Sequence, residues 1–206
     1  MPNFSTFATI LLIAARFSPV IAVPNVTVIP LGSNNCASWP GYLSGTGTTG
    51  PFQFQVDQPD DVGVDGLYTS FPIRITGSAD FLVADLRKSR TIAKPYYRCV
   101  NGTVRLGYNL STQINISKDN RNAFLFLEEG YVAEPYVHEI DGVRQPGVYL
   151  GAKDQTTWGF IYVRPSDCGA LDYYETKLLG LPQDPNTELT AAAEPDFSGF
   201  LKIVPF

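Results

Sequence analysis

The sequence is poor in the residues that most often betray a chemistry. Its 206 residues hold one histidine, His138, and three cysteines, Cys36, Cys99 and Cys168, with no C-x-x-C pair. That spacing cannot build a zinc centre, which draws four ligands from closely spaced Cys and His. No G-x-S-x-G elbow accompanies His138, so a Ser-His-Asp device has no signature here. Basic residues form no stripe and the formal net charge is −5, which argues against nucleic acid as a partner. No apolar run approaches the roughly 18–20 residues of a membrane span. Charged residues make up only 17% of the chain against 13% aromatics, so there is ample apolar surface for a core. No cofactor is indicated.

Glycine (18) and proline (16) are plentiful and scattered, as expected where many short strands are joined by turns. The clearest stretch is 96–108, YYRCVNGTVRLGY. Asn-Gly between two strand-forming runs favours a type I′ turn, which needs φ > 0 at both central residues. The turn then sets Val100 opposite Thr103, Cys99 opposite Val104, Arg98 opposite Arg105 and Tyr97 opposite Leu106. Tyr97, Cys99, Val104, Leu106 and Tyr108 share a core face; Tyr96, Arg98, Val100, Thr103 and Arg105 share the other. Asp141-Gly142 gives a second hairpin signal. Strands are expected at 26–29, 52–56, 71–76, 81–86, 112–117, 123–127, 136–140, 148–150, 157–163, 173–179 and 199–204. One helical turn is allowed at 188–193. In 112–117, Ile114 and Ile116 are expected inward and Asn115 outward. Turn signals about every 8–12 residues predict an all-β, single-domain antiparallel β-sandwich over 23–206, with a β-trefoil-like or other small barrel as the alternative.

The apolar run at 7–15, Pro19 and the small residues before position 23 read as a secretory signal peptide spanning 1–22. Export makes four Asn-x-Ser/Thr sequons meaningful: Asn25, Asn101, Asn109 and Asn115. In an oxidising compartment two of the three cysteines should pair. Cys36 and Cys168 lie in turn-like segments where a free thiol would be reactive, whereas Cys99 faces the hairpin core. Cys36–Cys168 is the pairing expected, with Cys99–Cys168 next.

Other motifs have plain readings. Gly45–Gly50 matches G-x-G-x-x-G but is followed by Pro51 and an alternating strand, so no helix N-terminus meets a phosphate. His138 with Glu134 is the best same-face pair for a metal, yet a structural histidine is favoured. Asp57, Asp60, Asp61 and Asp65 read as a solvated acidic turn without EF-hand spacing. Glu128, Glu129, Asp172 and Glu175 offer carboxylates for glycoside hydrolysis, but no defined pair. Arg98 opposite Arg105 is unfavourable across a ladder and calls for a carboxylate or an anionic ligand to offset it. Tyr96, Trp39 and Tyr42 could supply aromatic surface beside it.

The layout of signal peptide, clustered sequons, short strands and few cysteines resembles small secreted β-rich glycoproteins of the fungal type. That resemblance assigns no site residues. A secreted, extracellular or wall-associated, non-catalytic protein is expected, one that binds a polysaccharide or an extracellular protein through Trp39, Tyr96, Arg98 and Arg105. A small glycan hydrolase with paired carboxylates, and a secreted effector or inhibitor with a protein partner, are the alternatives.

Overall fold

The computed structural model of the protein describes residues 22–32, 35–75, 78–84, 95–107, 109–118, 124–125, 129–163, 173–182 and 194–206. Residues 1–21 of the expected signal peptide, Cys168 and the segment 188–193 lie outside the described residues.

The described elements are strands with one 3-10 turn, Cys36–Ser38. In chain order the strands are β1 (Thr27–Pro30), β2 (Tyr42–Leu43), β3 (Thr48–Thr49), β4 (Phe52–Asp57), β5 (Tyr68–Ile75), β6 (Ser78–Ala84), β7 (Tyr97–Val100), β8 (Thr103–Leu106) and β9 (Asn109–Gln113). They continue with β10 (Asn115–Ile116), β11 (Phe124–Leu125), β12 (Tyr131–Val132), β13 (Glu134–Ile140), β14 (Val143–Arg144), β15 (Tyr149–Gly151), β16 (Thr157–Val163), β17 (Tyr173–Leu178) and β18 (Phe197–Pro205). The fold is all-β and antiparallel, as the turn spacing predicts. The segment 173–179, expected as a strand, holds β17.

One large sheet runs β1-β13-β15-β18-β16-β17-β6-β5-β4-β7-β3-β2, and β10 sits between β11 and β12 in a smaller one. The large sheet bends back on itself where β18 also pairs with β4, from Phe200↔Asp57 to Pro205↔Phe52. It does not close as a barrel; β4 meets β5 at the one ladder pair Gln55↔Tyr68. Pro72 falls at an irregularity in β5, where the register shifts between Ser70 and Ile73. Proline has no N–H to give a ladder, and a bulge is where a strand tolerates it.

The main core lies inside the bend. Phe52, Phe54 and Val56 of β4 face it, as the alternation predicts, together with Leu201 and Ile203 of β18. Trp39 stacks on Phe52 at 5.4 Å, and Tyr97 packs on Phe54 at 4.9 Å. Phe200 points to the opposite face of β18 from Leu201. There it packs on His138 and Tyr149.

The 96–108 hairpin takes the expected register, with Tyr97↔Leu106, Arg98↔Arg105, Cys99↔Val104 and Val100↔Thr103. Asn101 and Gly102 adopt φ 51° and 76°, the left-handed pair of a type I′ turn. The cysteine pairing differs from expectation. The disulfide joins Cys36 to Cys99, with Cα atoms 5.5 Å apart. The reason is local. Asn35 Oδ1 accepts the Ala37 N–H at 2.8 Å and opens the 3-10 turn. The turn buries both Cys36 and Trp39 against the hairpin, so Cys36 is not the exposed thiol its sequence context suggests.

The bridge spans 63 residues. A loop of that length constrains the unfolded chain by about 4 kcal/mol in the chain-entropy account. Replacing Cys36 and Cys99 together by alanine should therefore lower the urea-unfolding free energy by about 2–4 kcal/mol. Peptide mapping without reductant should link the Cys36 peptide to the Cys99 peptide and leave the Cys168 peptide out of that bridge.

Candidate functional site

Trp39 is not part of any surface. It is buried, and its indole Nε1 finds no hydrogen-bond partner. Sequence reasoning offered it as a stacking platform; the 3-10 turn that buries Cys36 carries it into the core beside Phe52. Tyr96 is half-buried. Its ring lies over Gly107, where a Cβ would come within 2.0 Å of the ring carbons. It also contacts Phe206 at 5.3 Å.

Arg98 and Arg105 do stand opposite one another, and their side chains lean apart. Arg98 Nη1 donates to the Thr49 carbonyl on β3 at 2.9 Å. Arg105 Nη1 donates to the Leu110 carbonyl on β9 at 2.6 Å, and its Nε donates to Thr103 Oγ1 at 3.2 Å. These acceptors are neutral. Among the described residues no carboxylate is ion-paired with either guanidinium. The repulsion across the ladder is thus eased by separation and the charge is left uncompensated. Most of the five N–H donors on each guanidinium stay unused.

Thr103, bonded to Arg105, also lines a cleft of about 560 Å³ where the two sheets meet. The Asn101-Gly102 turn, Lys118, Tyr131, Glu134 and Lys153 form its other walls. Lys118 Nζ sits 5.8 Å from the Tyr131 ring centre. Glu134 Oε2 accepts the Tyr136 hydroxyl at 2.5 Å, and that hydroxyl accepts the Asp154 N–H at 3.1 Å. Burial raises the Tyr136 pKa far above the usual phenol range, aided by the neighbouring Glu134 carboxylate, so the hydroxyl stays a donor. The cleft escaped sequence reading because its walls come from five separate elements. The one available signal was Lys153-Asp154 at a tight turn.

The lone histidine is a core residue. His138 is 1% exposed, stacks on Tyr149 at 3.9 Å and places Nε2 2.9 Å from Thr156 Oγ1. The Tyr149 hydroxyl donates to Asp57 Oδ2 at 2.9 Å, and Lys202 Nζ lies 3.9 Å from the same oxygen. Glu134 bonds to Tyr136, so the candidate metal pair of His138 and Glu134 is not assembled. The acidic turn is dispersed too. Asp57 faces Tyr149, Asp60 accepts the Ser198 N–H and hydroxyl, and Asp61 accepts the Gly63 N–H. Among the described residues no group of three or more His, Cys, Asp or Glu could hold a metal. Of the hydrolase carboxylates, Glu128 and Asp172 lie outside the described residues. The 45–50 glycine stretch ends in β3 and leads into β4, with no helix following.

The sequons separate clearly. Asn25 and Asn101 are exposed. Asn115 does not face outward as its alternating pattern suggests. It is 2% exposed and accepts the Gln113 side-chain N–H at 3.0 Å. Its strand is buried on both faces, Asn115 as well as Ile116, with the backbone at Gly130 packed against the Asn115 side chain. The side chain of Asn109 lies outside the described residues. Among the described residues no helix is long and apolar enough to cross a membrane. Compared with known proteins, the chain matches no family model and no curated sequence.

Burial holds the His138 pKa down at about 4, below its ordinary value of 6.5. The unfolded chain therefore binds the proton first as pH falls. Stability is full above pH 6.5 and is lost progressively towards pH 4, by about 3 kcal/mol. Urea unfolding at pH 7 and pH 4.5 should show that loss, and His138→Phe should flatten the slope by close to one proton. For the sequons, glycopeptide mapping of protein from a glycosylating host should find Asn115 unmodified and Asn25 modified, because a glycan on Asn115 has no room in the folded chain.

Proposed function

We propose that the protein is an extracellular, non-catalytic binding protein whose ligand is an acidic carbohydrate of a cell wall or host surface. The observation that carries this reading is the Arg98–Arg105 pair: two half-buried arginines directly opposite one another on an outward strand face, their guanidiniums turned to either side and each satisfied only by neutral oxygens. Guanidinium is the group best matched to a planar carboxylate, because it donates two parallel N–H bonds. Tyr96 lies on the same strand face and presents part of its ring. The overall charge of −5 makes this basic patch local, so it favours a defined acidic ligand over general adhesion to polyanions. The signal peptide expected from the sequence, and the sequons, motivate the extracellular setting, and an exposed Asn25 is compatible with a glycoprotein.

A protein partner is the second reading. The observation favouring it is the edge strand β2, which leaves Tyr42 and Leu43 exposed.

The test is retention of the purified protein on insoluble acidic and neutral polysaccharides, with reducing ends assayed in the same tubes. Retention on an acidic polymer without new reducing ends is expected. Arg98→Ala with Arg105→Ala should weaken it at least tenfold, since charged hydrogen bonds contribute about 1.5–3 kcal/mol each. New reducing ends would replace this reading with a hydrolase, and no retention on any polymer would move the search to a protein partner at β2.

A further inference from the structure

Among the described residues three tight turns have paired left-handed residues. Two use the residues that fit: Asn101-Gly102 at φ 51° and 76°, and Asp141-Gly142 at φ 52° and 76°. The third, between Ala152 and Gln155, places Lys153 at φ 52° and Asp154 at φ 59°. Lysine has no local side-chain bond to offset the Cβ clash of the left-handed region, unlike Asn or Asp. The turn is nevertheless firmly held. Ala152 and Gln155 exchange both backbone hydrogen bonds at 3.0 Å, and the Asp154 N–H is bonded to the Tyr136 hydroxyl. Strain retained under such support is characteristic of a residue kept for what its side chain does.

What Lys153 does is line the 560 Å³ cleft, together with Lys118, Tyr131, Glu134 and the Asn101 turn. That volume falls in the small-ligand range of roughly 300–1,000 Å³. Lys118 and Lys153 line the same cleft as Glu134, and among the described residues neither ammonium is ion-paired. Glu134 is anchored by Tyr136 and can accept a hydroxyl proton. It would also repel a dianion. A ligand that suits all three carries one carboxylate for the lysines and hydroxyl donors for Glu134. One sugar-acid residue has both.

We propose that this cleft is a subsite for a single uronic acid residue, and that Lys153 determines its acid specificity. The proposal rests on the reading of the protein as a binder of acidic carbohydrate. The strained turn sets Lys153 in the cleft wall, and Thr103 joins the subsite to Arg105, so one oligosaccharide can engage both.

The experiment is calorimetric titration with a uronic acid tetrasaccharide and with its methyl ester, which has the same shape without the charge. Protein made without N-glycans is used, since a glycan on Asn101 would stand over the cleft. Wild type should bind the acid at least tenfold more tightly than the ester. Lys153→Asn should lose at least tenfold in affinity for the acid while its thermal midpoint rises, and Lys153→Arg should keep the affinity. If Lys153→Asn binds as wild type while the Arg98→Ala/Arg105→Ala variant does not, the subsite is refuted and the acidic-carbohydrate reading survives. If wild type binds no acidic saccharide, that reading fails and the subsite with it. Equal competition by inorganic phosphate would reduce the cleft to a plain anion site, and a lowered midpoint for Lys153→Asn would overturn the strain argument.

Discussion

The ladder between β4 and β18 is the constraint on which the rest of the structure depends. It joins residues 52–57 to residues 200–205 through six consecutive pairs. Contacts this distant in sequence are costly in loop closure, so they must return a large burial. They do: Phe52, Phe54 and Val56 meet Leu201 and Ile203 in the main core, while Phe200 turns to the other face and packs on His138 and Tyr149. One ladder therefore anchors apolar clusters on both of its faces. Every other piece of the large sheet hangs from it, β16 and β15 on one edge of β18, β5 and β7 on the far edge of β4.

The polar surface is arranged around what that core leaves over. Arg98 and Arg105 are forced into opposition by a turn that sets the register, and the register is itself demanded by burial of Cys99, Val104 and Leu106. A one-residue slip would bring the arginines inward. Their closeness is thus a consequence of the hairpin, and their leaning apart toward Thr49 and Leu110 is the local relief. The charge that remains is what gives this face a possible chemistry. Three polar side chains elsewhere are tied to a polar neighbour: His138 to Thr156, Tyr149 to Asp57, Tyr136 to Glu134. In the last two of these a tyrosine hydroxyl donates to a carboxylate.

Much of the local structure was legible because its signals are short-range. Asn101-Gly102 specified the turn, the register and the two faces of the hairpin. The Phe52-Gln-Phe-Gln-Val56 alternation gave the core face of β4, although Gln53 is buried too, its side chain donating to the Pro95 carbonyl at 3.0 Å. The misreadings share one cause. Trp39 and Cys36 sit among polar neighbours in sequence and Asn115 alternates with two isoleucines, yet packing against other parts of the fold buries all three. Alternation says which residues share a face; it does not say whether the second face is also covered.

The class of fold, the hairpin and its opposed arginines follow from the residue order alone, because turn chemistry and the two-residue period of strands act between near neighbours. Only the tertiary structure decided the Cys36–Cys99 bridge, the burial of Trp39, His138 and Asn115, and the cleft where Lys118, Glu134 and Lys153 converge. These depend on which distant segments pack together, and that is settled by the burial won over the whole chain.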